Sequence, residues 1–366
     1  MDTGLRVLVV DDSAFARSMI TKKLKEDPAI AQVEIARDGE EAVAKVNSLQ
    51  PDVVTMDVQM PRLDGLGALK RIMQERPTPV VMLSSLTGDD TDTTLSALEL
   101  GAVDFFLKPS ISDSGNSDSG RNLVETVKLA ARVPVARLAR AMRPNRPQPT
   151  ANPQPGKTSG GRSDSGRSRI ERVVVIASST GGPRALAEVI PHLPVDERVG
   201  YLMVQHMPAG FTRSLSERLN NSSKLTVREA AKGDFVQGGT ALMAPGGYHL
   251  VVAGNGELDL TQSPQLHGVR PAADITMQSA ARAFGKKCVG VVLTGMGVDG
   301  RDGAGTIRTA GGKVIAEDES TCAVFGMPRA AIEAGNADVV VPINHVAREI
   351  VRAYEAGLAR GAGAAD

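Results

Sequence analysis

Short apolar runs, largely β-branched, recur along this chain, and each gives way at once to polar or glycine-rich residues and then to a stretch with helical spacing. Over residues 1 to 126 the runs are RVLVV, VEIA, DVVTM, PVVML and VDFFL, with helical stretches after Ser13, after Asp38, near Leu66 and after Asp89. An apolar run without alternation suits a strand covered on both faces, and regular strand–helix alternation predicts a doubly wound, five-stranded parallel sheet. Asp38 followed by Glu41 has the form of a capping box, and Val43, Val46 and Leu49 continue it at helical spacing. In such sheets ligands gather at the carboxyl ends of the strands. Asp11, Asp12, Asp57, Ser84 and Lys108 all fall there.

The same pattern returns from residue 169 to about 357. RVVVIASSTGG reads as a buried strand that breaks into Ser178, Ser179, Thr180, Gly181 and Gly182 before a helix opening near Pro183. VGYLMVQHMP ends at His206, and CVGVVLTGMGVDG ends in a glycine-rich loop carrying Asp299. YHLVVAG and GELDL, joined through Asn255 and Gly256, predict a β-hairpin. The second segment is therefore expected to be a doubly wound, mostly parallel α/β domain with one hairpin. Between the two segments, residues 127 to 168 are expected to form a flexible linker: residues 121 to 142 keep a helical pattern with Leu123, Val127 and Ala131 that Pro134 should break or kink, and after Arg143 the chain turns proline-rich and then Gly/Ser-rich with almost no apolar side chains.

Composition excludes several classes of function. A chain of 366 residues with 42 basic and 42 acidic side chains has no net charge to draw nucleic acid or an anionic membrane. No run is long enough to cross a bilayer, so membrane insertion is not expected. Val7 to Val10 is too short for a signal peptide, and Cys288 and Cys322 lack metal-ligand spacing, which suits reduced thiols in a cytoplasmic protein.

Two constellations carry chemistry. Asp11, Asp12 and Asp57 in one crevice repel one another, and a hard divalent cation such as Mg²⁺ is the usual relief, with Lys108 adding positive charge opposite. In the second domain, Ser179 is either a nucleophile or part of a loop whose amides cradle an anion. With His206 as base and Asp299 to fix its tautomer, three strand ends supply what a hydroxyl nucleophile needs. The backbone N–H of Met296, among glycines, is the expected oxyanion donor. The order Ser, His, Asp differs from the Ser, Asp, His order of α/β-hydrolases. Among the other histidines, His192 and His345 read as surface or capping residues, His267 as part of a polar loop, and His249 as either structural or a substrate contact. Arg213 reads as a solvated helix-start residue or a contact for an acidic surface.

VVDDS, MDVQMPRLDG, LSS and LKP resemble the receiver domains of bacterial response regulators, which have the flavodoxin-like fold. That resemblance implies phosphorylation of Asp57 by a histidine kinase. It also implies Mg²⁺ held by Asp12, Asp57 and the Gln59 carbonyl, with Asp11 acting through water, and a switch made by Ser84, Lys108 and Phe105. Phe105 reads equally well as core packing. With IASSTGG, VQHMPAGFTRSLSERLN, MAPGGYHL and VLTGMGVDG added, the whole chain is similar to the two-domain chemotaxis protein-glutamate methylesterases known as CheB. The family pattern implies Ser179 as nucleophile, His206 as base and Asp299 as orienting acid. It further implies hydrolysis of glutamate methyl esters and deamidation of selected glutamines on methyl-accepting chemoreceptors, under a histidine kinase of the CheA type. Where the family usually has Gly-Ala, this chain has Ala177 and Ser178, which places a second hydroxyl beside Ser179. Two other readings fit the residues: a response regulator with a ligand-binding output domain, and a phosphate sink in a non-chemotactic signalling cluster.

Overall fold

The computed structural model describes residues 4–85, 88–108, 123–134 and 170–362. The first domain runs β1 (Leu5–Val10), α1 (Ala14–Lys25), β2 (Ile30–Ala36), α2 (Gly39–Leu49), β3 (Val53–Asp57), α3 (Gly65–Glu75), β4 (Val80–Ser84), α4 (Gly88–Glu99), β5 (Asp104–Leu107) and α5 (Leu123–Ala131). The strands form one parallel sheet in the order β2-β1-β3-β4-β5. Half of the capping box forms as expected, the Asp38 carboxylate accepting the Glu41 N–H at 2.9 Å, while Glu41 accepts the N–H of Arg37, one residue before the cap, and not that of Asp38. β3 and β4 are buried along their whole length, as their unbroken apolar runs require.

The expected domain limit at residue 126 falls inside α5. Val127, Ala130 and Val133 are buried in the core of the first domain, which therefore continues past that limit, and Pro134 follows the end of the helix. Most of the predicted linker, residues 135–168, lies outside the described residues.

The second domain contains β6 (Arg172–Ser178), α6 (Gly182–Val189), β7 (Val199–Gln205), α7 (Phe211–Ser222), β8 (Thr226–Glu229), β9 (Thr240–Met243), β10 (His249–Val252), β11 (Leu258–Thr261) and α8 (Ala273–Phe284). It continues with β12 (Cys288–Val292), α9 (Arg301–Thr309), β13 (Lys313–Glu317), α10 (Met327–Glu333), β14 (Val339–Val341) and α11 (Ile343–Ala362), which carries it past the expected limit at 357. Seven strands in the order β14-β13-β12-β6-β7-β9-β8 form a sheet in which every pair is parallel. β10 and β11 pair antiparallel beside it, as the Asn-Gly turn predicts. β6 and β7 are buried at every position, and Cys288, in the same core, has its thiol pushed up by burial to about 12, where it is inert. No helix among the described residues is long and apolar enough to cross a membrane.

The two domains touch. Phe105 on β5 stacks on Phe211, the first residue of α7, with ring centroids 4.5 Å apart and planes 16° apart. Arg218 on α7 reaches Glu99, the Asp92 carbonyl and Ser96 Oγ on α4, at 2.7–3.0 Å. The Thr180 hydroxyl donates to the buried Asp104 carboxylate at the start of β5. Phe105 is thus packed, but against the other domain.

Candidate functional sites

In the first domain, Lys108 Nζ sits 2.8 Å from Asp11 Oδ2 and 2.7 Å from Asp57 Oδ1. Asp11 is fully buried, Asp57 nearly so, and Asp12 is exposed, which leaves the crevice open to solvent on one side. The three carboxylates have ligand atoms within 4.8 Å of one another, an all-oxygen donor set that fits a hard divalent cation. Gln59 lines the same crevice with Met60, Ser85 and Asp90. Its side-chain amide donates to Asp90 Oδ1 at 2.7 Å, and the Ser85 hydroxyl donates to the other Asp90 oxygen. Asp90, not anticipated from the sequence, thereby ties the start of α4 to the crevice. Ser84 Oγ is buried 2.8 Å from Thr94 Oγ1 and donates to the Ser85 carbonyl.

Burial pushes the Asp57 carboxyl up to about 6, against the pull of Lys108 and with Asp11 adding to the rise. An acid whose folded value lies above its unfolded one costs the fold stability as pH climbs through that folded value. Asp57→Asn should therefore raise the thermal midpoint at pH 8 by about 3–6 °C, with the gain vanishing below about pH 4. Added Mg²⁺ should raise the midpoint of the unchanged chain and leave that of the variant in place. Melting curves at both pH values check this, and an equal shift at the two would exclude the carboxylate's charge as the cause.

In the second domain, the apolar strands β12, β6 and β7 lie side by side and deliver Asp299, Ser179 and His206 at their carboxyl ends. Ser179 follows the central strand of the three. Its N–H donates to the Thr294 carbonyl at 3.0 Å, and its carbonyl accepts the Gln205 side-chain amide at 2.9 Å. The His206 N–H donates to the Ser178 carbonyl, which fixes the imidazole one strand over from the serine. His206 Nε2 lies 2.6 Å from Asp299 Oδ2, with both side chains buried. The nitrogen facing the carboxylate is Nε2, the reverse of the serine-protease pairing, in which Nδ1 faces the acid.

Asp299 is held by backbone as well. It accepts the Ala273 and Asp274 N–H groups at 2.6 and 2.9 Å, the first two of α8, and the Gly300 N–H at 3.1 Å. Ala272 offers α8 no side-chain cap, so Asp299 caps that helix from another loop. Burial pushes the Asp299 carboxyl up, but His206 and the helix N–H groups outweigh it and hold it below the usual carboxylate range.

The neighbouring hydroxyl has a different task. Ser178 is fully buried and donates to Gln205 Oε1 at 2.7 Å, while the amide end of the same Gln205 holds the Ser179 carbonyl. Gly295 lets the β12 loop approach, since a Cβ there would lie 2.7 Å from Ser179 Cβ and 2.3 Å from Met327 Sδ. The next residue is Met296, exposed, and its backbone N–H has no hydrogen-bond acceptor among the described residues.

His249 is not a substrate contact: it is fully buried, its Nδ1 accepts the Ala272 N–H, and its Nε2 faces the Pro264 carbonyl. His192 Nδ1 meets the Glu188 carbonyl on the surface, as expected of a capping residue. Arg213 is exposed, 3.6 Å from Glu229. His267 pairs with the buried Asp274, which the sequence did not signal.

Two family profiles match the chain, one described as CheB methylesterase over residues 174–350 and one as response regulator receiver domain over residues 7–114. A protein-glutamate methylesterase/protein-glutamine glutaminase of Symbiobacterium thermophilum is 50% identical over 356 residues, covering 96% of this chain and 98% of the relative. One of the same name from Pyrococcus horikoshii is 46% identical over 368 residues, covering 99% and 96%. Among solved structures, the Thermotoga maritima CheB methylesterase catalytic domain is 47% identical with a TM-score of 0.48, covering 50% of this chain and 97% of that one.

Proposed function

The chain belongs to the CheB family of protein-glutamate methylesterases/protein-glutamine glutaminases, and from that premise we propose that Ser179, His206 and Asp299 carry out ester hydrolysis through an acyl-enzyme. The observation behind this reading is the buried His206–Asp299 pair at 2.6 Å, one strand away from Ser179 on either side.

Ser179 Oγ attacks the side-chain carbonyl of a glutamate methyl ester while His206 Nδ1 takes its proton. Asp299 keeps the other proton on Nε2 and stabilises the imidazolium. The Met296 N–H donates to the oxyanion that forms, a contribution worth about two to three orders of magnitude in rate where such donors have been removed. Methanol leaves with the proton from His206. Water, deprotonated by the same base, then attacks the acyl carbon and releases glutamate and the serine. A primary amide passes through the same oxyanion, so glutamine side chains are substrates too, with ammonia as leaving group. The substrate protein is a methyl-accepting chemoreceptor and the phosphodonor a histidine kinase.

Regulation follows from the docked receiver. Phosphorylation of Asp57 adds about one and a half to two negative charges to the crevice that holds Asp90 and the start of α4. Asp12, Asp57 and the Gln59 carbonyl would hold Mg²⁺ there, with Asp11 reaching it through water, and its charge would offset the phosphoryl oxygens. Lys108 pairs with the acyl phosphate, the Ser84 hydroxyl turns to it, and Phe105 lies on the neighbouring strand where the shift reaches Phe211. The unphosphorylated receiver covers the approach to Ser179, which is 4% exposed, and phosphorylation shifts the population toward an undocked form.

Methanol release from methylated receptor membranes, measured with and without a small-molecule phosphodonor, tests both parts. Release that rises severalfold with the phosphodonor is expected. No release under either condition would favour a ligand-binding output domain.

A further inference from the structure

Behind the His206–Asp299 pair lies a second buried carboxylate with a partner of its own. Asp274 is 1% exposed, and its backbone N–H is one of the donors to Asp299. Its Oδ1 accepts the Gly303 N–H at 2.7 Å, and its Oδ2 lies 3.1 Å from His267 Nε2. One ligand atom from each of Asp299, Asp274 and His267 falls within 4.8 Å of the others. Two anions that close cannot both remain ionised in a buried site unless a proton or a cation relieves them. A metal ion would bridge such a spacing, but the carboxylate oxygens here already face N–H donors, and the His267 imidazole is the ionisable side chain that reaches Asp274 directly.

The chain goes to some trouble to place that imidazole. His267 and Gly268 have φ of +54° and +74° and are the two central residues of a tight hairpin turn, with Leu266 and Val269 exchanging hydrogen bonds at 3.2 and 3.0 Å. Asn-Gly is the commonest pair for such a turn, and Asn tolerates the left-handed region at least as well as His. The turn therefore does not demand a histidine. The side chain keeps contact with solvent at 29% exposure, whereas Asp274 is buried.

We propose that His267 is a positioning residue for the triad: its imidazolium neutralises Asp274, so that Asp299, packed against that second carboxylate, stays ionised and holds His206. This rests on the triad reading above. The other charged groups near Asp274 are Arg301 and Asp302 at the start of α9, with His206 beyond Asp299. His249, on β10 with Arg270 beside it, is held toward its neutral form by burial and acts only as an acceptor for the Ala272 N–H. Consistent with the geometry, burial and the Asp299 charge together raise the Asp274 carboxyl, and His267 pulls it back down.

The experiment is methanol release by the full-length, phosphodonor-treated protein across pH 5 to 9, for the unchanged chain, His267→Asn, Asp274→Asn and the double variant. Leaving Asp274 as an unpaired anion packed against Asp299 favours protonation of His206. The acidic limb of the kcat profile in His267→Asn should therefore move up by about half to one pH unit, with kcat at pH 6 falling about three- to tenfold and KM little changed. In the Asp274→Asn background the same replacement should cause no further shift. A uniform loss of kcat with the limb unmoved, or a shift that persists without Asp274, would reduce His267 to a turn residue and overturn the proposal. If His267→Asn folds poorly, His267→Gln takes its place, with the same upward shift expected and an unmoved limb overturning the proposal. Retained methanol release in Ser179→Ala would instead bring down the triad reading, and this inference with it.

Discussion

Replacing Ser179 with alanine should cut methanol release from methylated receptor membranes by about a thousandfold or more, the scale seen when a triad loses its nucleophile. Ser178→Ala should stay within about tenfold of the unchanged chain, because a single net hydrogen bond contributes about 0.5–1.5 kcal/mol. The contrast rests on where the two hydroxyls point: Ser178 is spent on Gln205, which in turn secures the Ser179 carbonyl. A serine-reactive fluorophosphonate should label the chain once, and not at all after Ser179→Ala. Full activity in Ser179→Ala together with a collapse in Ser178→Ala would show that the other hydroxyl attacks.

The second large effect concerns the docked receiver. A chain starting at residue 170 should show unphosphorylated esterase activity about tenfold or more above that of the whole protein, measured at equal molar concentration. The Phe105–Phe211 stack contributes about 0.5–1.5 kcal/mol beyond its buried area. The Arg218–Glu99 pair is partly exposed and contributes about 0.2–1 kcal/mol. The buried bond from Thr180 to a carboxylate contributes about 1.5–3 kcal/mol. Together these approach the roughly 5 kcal/mol that separates a mostly closed from a mostly open population, and a tenfold change in openness needs only about 1.4 kcal/mol. If the isolated domain were no faster than the unphosphorylated whole, covering of the site would be the wrong account of regulation.

The sheets were legible because their central strands are buried on both faces and therefore written as unbroken apolar runs. β8, β9 and β14 were not: they have four, four and three residues, too few to carry a period, and no Asn-Gly turn marks them as it marks the equally short β10 and β11. Ser179 and His206 could be singled out because each lies at the end of an apolar run, and Asp299 because it sits in the glycine-rich loop that follows one. His267 and Asp274 carried no such mark, because one sits at a turn and the other in the first turn of a helix, where an acidic residue is ordinary. Phe105 could be read as an aromatic on a strand, but its partner Phe211 belongs to a different domain, and no local pattern reports a contact across that separation. Asp90 and Gln205 were missed similarly: their roles exist only once loops from separate strands converge.

β6 is the fourth of seven strands, with three on each side, and it is buried at all seven of its positions. Regions of this kind exchange their amide hydrogens only when a whole domain opens, while edge strands breathe far more often. The Ser179 hydroxyl therefore stands at the end of the most protected strand of its domain, and fraying at the rims of the sheet leaves its position undisturbed.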